Sequence, residues 1–113
     1  EQIEEIVAGL KDLARELEIP VVALAQVNRD CEHRQDKRPG LSDLKESGAI
    51  EQEADSVITL YRDEVYNEDS PYAGIMECNI CKNRHGPVGR KDVWWTPEYL
   101  LVSSKSEMYG GAA

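Results

Sequence analysis

Between Cys78 and Lys91 the chain reads CNICKNRHGPVGRK, a run in which Lys82, Arg84, Arg90 and Lys91 carry four cations with no acid among them. Clustered cations repel one another unless an anion stands opposite, and a phosphate suits such a group. Asn83 to Gly89 has turn chemistry: Gly86 is free to take φ > 0, Pro87 fixes its own φ, and Gly89 releases the chain into the next strand. The turn predicts a hairpin that carries Lys82 and Arg84 at its tip, within reach of another molecule or another subunit. The plainer reading of the same residues is a solvated turn whose charges decorate a sheet edge.

Two other places carry residues able to touch a ligand. Gln26 is the first polar residue after the apolar run Val21 to Ala25, and ligands of open α/β sheets gather beyond the carboxyl ends of strands. A strand end that simply meets solvent would look the same. Further on, Ser42 and Asp43 can cap a helical turn through Glu46, Gly48 breaks it, and Ala49 to Ala54 resumes helical spacing. Two helical pieces flanking a glycine expose backbone N–H groups near Ser47 and Gly48, a means of holding a phosphate without reading a base.

Other chemistries fare worse. Cys78-x2-Cys81, with His85, Cys31 and His33 elsewhere, invites a zinc site, but residues three apart on a strand face opposite sides of the sheet. Two small strand residues is the better account, and no metal ligand is assigned. A redox pair lacks its strand-to-helix setting. The carboxylates Glu51, Glu53, Asp55, Asp63 and Glu64 read as solvated helix and loop surface. Two histidines in polar loops define no nucleophile–base pair, and the phosphate-loop pattern G-x-x-x-x-G-K-[ST] is missing from the sequence.

The elements that must position these groups follow from spacing. Ile3, Ile6, Val7, Leu10, Leu13, Ala14 and Leu17 recur three and four apart and predict an amphipathic helix that ends at Pro20. Val21 to Ala25 has no alternation, which suits a strand buried on both faces of a parallel sheet. Asp30 to Gly40 is polar throughout and reads as a mobile loop. Ser56 to Tyr61 is β-branched and apolar, a second buried strand. Gly74 to Cys81 and Val88 to Trp95 pair across the hairpin, with Trp94 and Trp95 on opposite faces, one in the core and one exposed or at an interface. Tyr99 to Val102 adds a last strand, and Ser103 to Ala113 reads as a frayed tail. The expected fold is a mixed α/β sheet: parallel strands with flanking helices and an antiparallel hairpin at the edge.

Composition sets the outer limits. With 113 residues and 41% apolar content there is room for one modest core, and hence one domain over 1–102. A net charge of −9 works against wholesale coating of nucleic acid while leaving local basic patches possible. No run approaches the ~18 apolar residues that span a bilayer, and no export signal opens the chain, so it reads as cytoplasmic with no membrane partner. Three cysteines, an odd number, point to reduced thiols. The chain opens at Glu1 in a helical pattern, without an initiator Met or a preceding strand, as a piece of something longer would.

Four motifs in order resemble the replicative DNA helicase family of the DnaB type: PVVALAQVNR (20–29), KRPGLSDLKESGAIEQEAD (37–55), YRDEVY (61–66) and KNRHGPVG (82–89). The likeness covers the later half of that family's RecA-like motor domain, a P-loop NTPase sheet. It implies a hexameric ring of identical subunits that hydrolyses ATP, with Mg2+, at subunit interfaces and translocates on single-stranded DNA to unwind duplex. By this resemblance Gln26 senses the γ-phosphate. Lys82 and Arg84 reach in trans into the neighbour's ATP site, Arg84 as an arginine finger, and Lys45, Glu46, Ser47 and Gly48 hold the DNA backbone. Primase and a helicase loader are possible partners. The family's phosphate loop and magnesium-holding acid would lie before Glu1, so ATP and Mg2+ are held mainly by residues outside this chain, which alone is inactive. Lys45 stands where the family often has arginine, and the segment after Gly89 matches poorly. Two other readings stay open: a non-catalytic module that binds DNA or a subunit, and a related RecA-like recombination ATPase.

Overall fold

The structure, a computed structural model, describes residues 2–44 and 47–104. Helix α1 spans Gln2–Leu17, as the three-and-four spacing predicts. It stops on Glu18, which takes a left-handed φ of 53°. Ile19 N–H then reaches back to the Ala14 carbonyl at 3.1 Å, closing the helix before Pro20. Helix α2, Ser47–Glu53, packs against α1 and holds Gly48 inside its first turn. The expected break at Gly48 does not occur, because a glycine near a helix start costs little.

Four strands make one sheet in the order β1-β2-β3-β4, with β1 at Ser56–Tyr61, β2 at Ile75–Asn83, β3 at Gly89–Thr96 and β4 at Leu101–Ser104. Every neighbouring pair is antiparallel. This corrects the expected parallel sheet. Val21 to Ala25 forms no strand: Val22 is 87% and Leu24 96% exposed. An unalternating apolar run signals a strand only when neighbours flank it, and among the described residues its sole sheet-like contact is one bridge just beyond it, Val27 to Leu44. Nor is β1 buried on both faces. Val57, Thr59 and Tyr61 point into the core, while Ser56, Ile58 and Leu60 are exposed.

A bulge breaks the β1–β2 register between Val57 and Ile58. Val57 pairs with Lys82 and Ile58 with Ile80, so Cys81 is the extra residue. Directly opposed residues share a face, so the bulge brings Lys82 onto the face of Val57, Thr59 and Tyr61, beside Cys81, whose sulfur lies 3.5 Å from Thr59 Oγ1. At the β2–β3 turn Gly86 does not take a positive φ; Gly74, with φ 78°, does. A Cβ at Gly86 would stand 2.9 Å from the Asn83 amide nitrogen and would oblige that side chain to shift. That amide in turn donates to the Pro87 carbonyl at 3.1 Å.

The segment 30–40, expected to be a mobile loop, is held by hydrogen bonds and ion pairs of its own arginines. Arg29–His33 forms a three-ten turn that buries Cys31, and Leu41–Asp43 forms another. Between them the charges that looked like a solvated loop pair inward. Arg38 grips the buried Glu77 carboxylate with Nε at 2.8 Å and Nη2 at 3.0 Å, while Arg90 adds a third contact at 3.3 Å. Thr59 Oγ1 donates to the Pro39 carbonyl at 3.0 Å. Arg38 also lies over the Tyr61 ring, which stacks on Tyr66, and Lys37 covers Tyr66 from outside.

Trp94 and Trp95 are both half-buried rather than divided between core and solvent, Trp95 with the Arg62 guanidinium 5.4 Å from its ring. Ser103 and Ser104, read as the start of the tail, pair with Trp94 and Val93. Residues 105–113 lie outside the described residues. No helix among the described residues is long and apolar enough to cross a membrane.

Candidate functional site

The hairpin cations converge on the carboxyl end of α2. Lys82, re-aimed by the bulge, donates from Nζ to the Glu51 carbonyl. Arg84 is fixed three times. Its Nη1 meets Asp55 Oδ1 at 2.7 Å, its Nη2 donates to the Gln52 carbonyl at 3.1 Å, and its backbone N–H donates to the Asp55 carbonyl at 2.8 Å. Carbonyls in the last turn of a helix lack intrahelical partners and carry the negative end of its dipole, which is why two cations settle there. The anion opposite them in this chain is therefore Asp55 with the end of α2. Arg90, in β3, turns instead to Glu77 and to Asp92 at 3.2 Å.

Asp55 also takes Lys11 of α1, Nζ to Oδ1 at 2.6 Å. Lys11, with Arg84 and His85 adding their charge, holds the Asp55 carboxyl below its ordinary range. One exposed carboxylate thus joins α1, α2 and the hairpin. Cys78, also on β2, has its thiol pushed up by burial, and among the described residues no group of three His, Cys, Asp or Glu side chains stands together to hold a metal.

Gln26 lies on the exposed extended segment before the Val27–Leu44 bridge. No hydrogen bond or ion pair joins it to Lys82 or Arg84 among the described residues. Lys45 and Glu46 lie outside the described residues, as does the Ser47 side chain; Ser47 and Gly48 open α2. What does connect these regions is the pairing of Arg34 with Asp43, a residue that the sequence reading took only as a helix cap. The Asp43 carboxylate takes both Nη atoms of Arg34 at 2.8 Å and the Gly40 N–H at 2.7 Å, and its carbonyl accepts the Asn28 N–H at 2.6 Å. These contacts hold the Asp43 carboxyl below its ordinary range, Arg34 contributing most. The available signal was that a buried acid needs a base, and Arg34 sits within nine residues of it.

The profile of the DnaB-like helicase C-terminal domain matches residues 1–103. The chain belongs to the DnaB-like helicase C-terminal domain family. Against the replicative DNA helicase DnaB of Geobacillus stearothermophilus it is 54% identical over 99 residues, 88% of this chain and 22% of that protein. A solved structure described as the ATPase domain of G40P superposes with a TM-score of 0.87 at 48% identity, covering 91% of this chain and 36% of that one. A second, of a DnaB-like replicative helicase and its interactions with primase, gives 0.88 at 48% identity, over 91% of this chain and 25% of that one. The chain spans about a fifth of the length of the curated relatives it matches. The match to the DnaB-like domain runs past Gly89 through the tryptophan pair to residue 103, a stretch in which the sequence reading found the likeness poor.

Proposed function

We propose that this chain supplies part of an ATP-driven DNA helicase motor, acting at the interface between identical subunits of a hexameric ring. The observation that carries the reading is the convergence of Lys82 and Arg84 at one end of one hairpin, in a member of the DnaB-like family. In the assembled ring Arg84 exchanges its exposed partner Asp55 for the phosphates of ATP held by the neighbouring subunit. Its planar guanidinium then faces the oxygens on which charge develops as the phosphoryl group leaves, and Lys82 adds a second positive charge beside it. Gln26 senses the γ-phosphate. Lys45, Glu46, Ser47 and Gly48 hold the backbone of single-stranded DNA, giving affinity without sequence preference.

The residues present fit phosphates and not magnesium. Two cations and a glutamine are phosphate partners, whereas the described residues offer no carboxylate cluster for a metal. Bound ATP supplies the phosphoryl group whose transfer to water drives the motor; its cradle and its Mg2+ ligands belong to residues outside this chain. The exposed apolar side chains Val22, Leu24, Ile58 and Leu60 fit packing against the remaining length that the relatives possess. Primase and a helicase loader are the partners this reading implies.

The test is Arg84→Ala in the assembled full-length protein. The reading expects most ATP turnover to disappear with nucleotide binding nearly intact; unchanged turnover would sink it.

A further inference from the structure

We infer that Asp43, locked by Arg34, is a positioning residue that ties the segment bearing Gln26 to the segment entering residues 45–48, and so couples nucleotide state to DNA grip. The inference rests on the roles proposed above for those residues.

The argument starts from burial. Asp43 is 7% exposed, and a buried carboxylate is stable only when its oxygens are fully engaged. Both are: Oδ1 and Oδ2 each take one Nη of Arg34 at 2.8 Å, and Oδ2 also takes the Gly40 N–H at 2.7 Å. A two-pronged charge-assisted pair fixes orientation as well as distance. The guanidinium is itself held, with Nη2 on the Arg38 carbonyl at 3.0 Å and Nε on the Asp36 carbonyl at 3.4 Å. Asp43 is therefore a fixed point of the 29–44 segment.

Two strands of chain meet at that point. The Asp43 carbonyl accepts the Asn28 N–H at 2.6 Å, and the next residue, Leu44, bridges to Val27. Gln26 immediately precedes Val27, and Lys45 immediately follows Leu44. Asn28 cannot shift independently, because its Oδ1 accepts the Asp30 N–H at 3.0 Å and its carbonyl takes the Cys31 thiol at 3.4 Å. A displacement of Gln26 by the presence or loss of a γ-phosphate is thus passed to Leu44 through one bridge and one short hydrogen bond. The Arg34–Asp43 pair decides whether that displacement is transmitted or absorbed.

The experiment uses the assembled full-length protein, oligo(dT) and a non-hydrolysable ATP analogue. The readout is the ratio of oligo(dT) affinities with and without the analogue, an equilibrium coupling that typically amounts to about fivefold or more. Arg34→Gln cuts the pair from its more exposed side and leaves the Asp43 carboxylate short of a partner, while Asp43→Asn cuts it from the buried side without leaving a buried charge, so the two together separate loss of coupling from loss of stability. In both variants the ratio should collapse toward one. Arg34→Lys, able to meet only one oxygen at a time, should restore part of it. A ratio that keeps its original value in Arg34→Gln overturns the inference, even if both affinities fall together, since that pattern belongs to mere structural support. If the unsubstituted protein binds neither oligo(dT) nor the analogue, the proposed function falls first and takes this inference with it.

Discussion

Arg84 and Asp55 are joined twice, by a 2.7 Å contact between their side chains and a 2.8 Å hydrogen bond between their backbones. The backbone bond fixes where the hairpin leaves the sheet. The side-chain contact lies in solvent reach, with Arg84 38% and Asp55 49% exposed, so the guanidinium is open to exchange with another anion, as the proposed role in trans requires. A fixed backbone with a partly exposed guanidinium suits the role in trans proposed above. Because the same guanidinium rests on the Gln52 carbonyl, its release also uncovers the end of the helix that Ser47 and Gly48 begin.

Glu77 is the most consequential buried charge. It is 3% exposed and depends on Arg38, with Arg90 as a weaker third party. Arg38→Ala would leave that carboxylate buried and poorly paired. Because the Arg38 side chain is 35% exposed, the cost falls at the low end for a broken buried pair, about 2–3 kcal/mol. Urea unfolding followed by tryptophan fluorescence should show a lower midpoint with an unchanged slope.

The acid limb of stability should follow Asp43. Arg34 and the Gly40 N–H depress its folded pKa, so its contribution is present above the unfolded carboxylate value of about 4 and is lost as pH falls toward the depressed one. Asp36 and Asp63 share that direction. Asp43→Asn should be less stable near neutrality and should flatten the loss on acidification. A variant that loses stability with acid as steeply as the parent would show that Asp43 plays no part in it.

At the alkaline end Tyr61 should act. Burial first, and then its hydrogen bond to Asp63 at 2.8 Å, push it up to about 12. The neutral phenol is thereby favoured by folding. Its contribution is complete below the unfolded value of about 10 and is lost as pH climbs toward the folded one. Tyr61→Phe should show a shallower decline over that window in the same unfolding titration.

Lys45→Glu should weaken single-stranded DNA binding about equally for every sequence and reduce the salt slope by about one. Binding by fluorescence anisotropy, over several salt concentrations and two unrelated oligonucleotides, measures both. Loss confined to one oligonucleotide would mean that this residue reads bases.

Local patterns read from the chain alone were those with a local cause. The three-and-four spacing of Ile3 to Leu17 produced α1, and the Asn83 to Gly89 turn produced the β2–β3 hairpin. What needed a partner elsewhere was misread. Val21 to Ala25 has the composition of a strand, yet nothing pairs with it among the described residues, and composition does not say where a partner is. The charges of 30–40 looked like solvent contacts because their acids, Asp43 and Glu77, lie up to 39 residues away. The bulge at Cys81 left no sequence signal, although it decides which face Lys82 takes. At the candidate site the residue types were legible while their present partners, Asp55 and the end of α2, were not.

The central claim is that Arg84 works across a subunit boundary. Two full-length variants, Arg84→Ala and one with its phosphate loop disabled, should each be nearly inactive in rings made of that variant alone. Mixed rings bring an intact phosphate loop from the first against an intact Arg84 from the second. ATP turnover by the mixture should rise clearly above the sum of the two parents. Turnover no greater than that sum would place Arg84 in service of its own subunit and contradict the account.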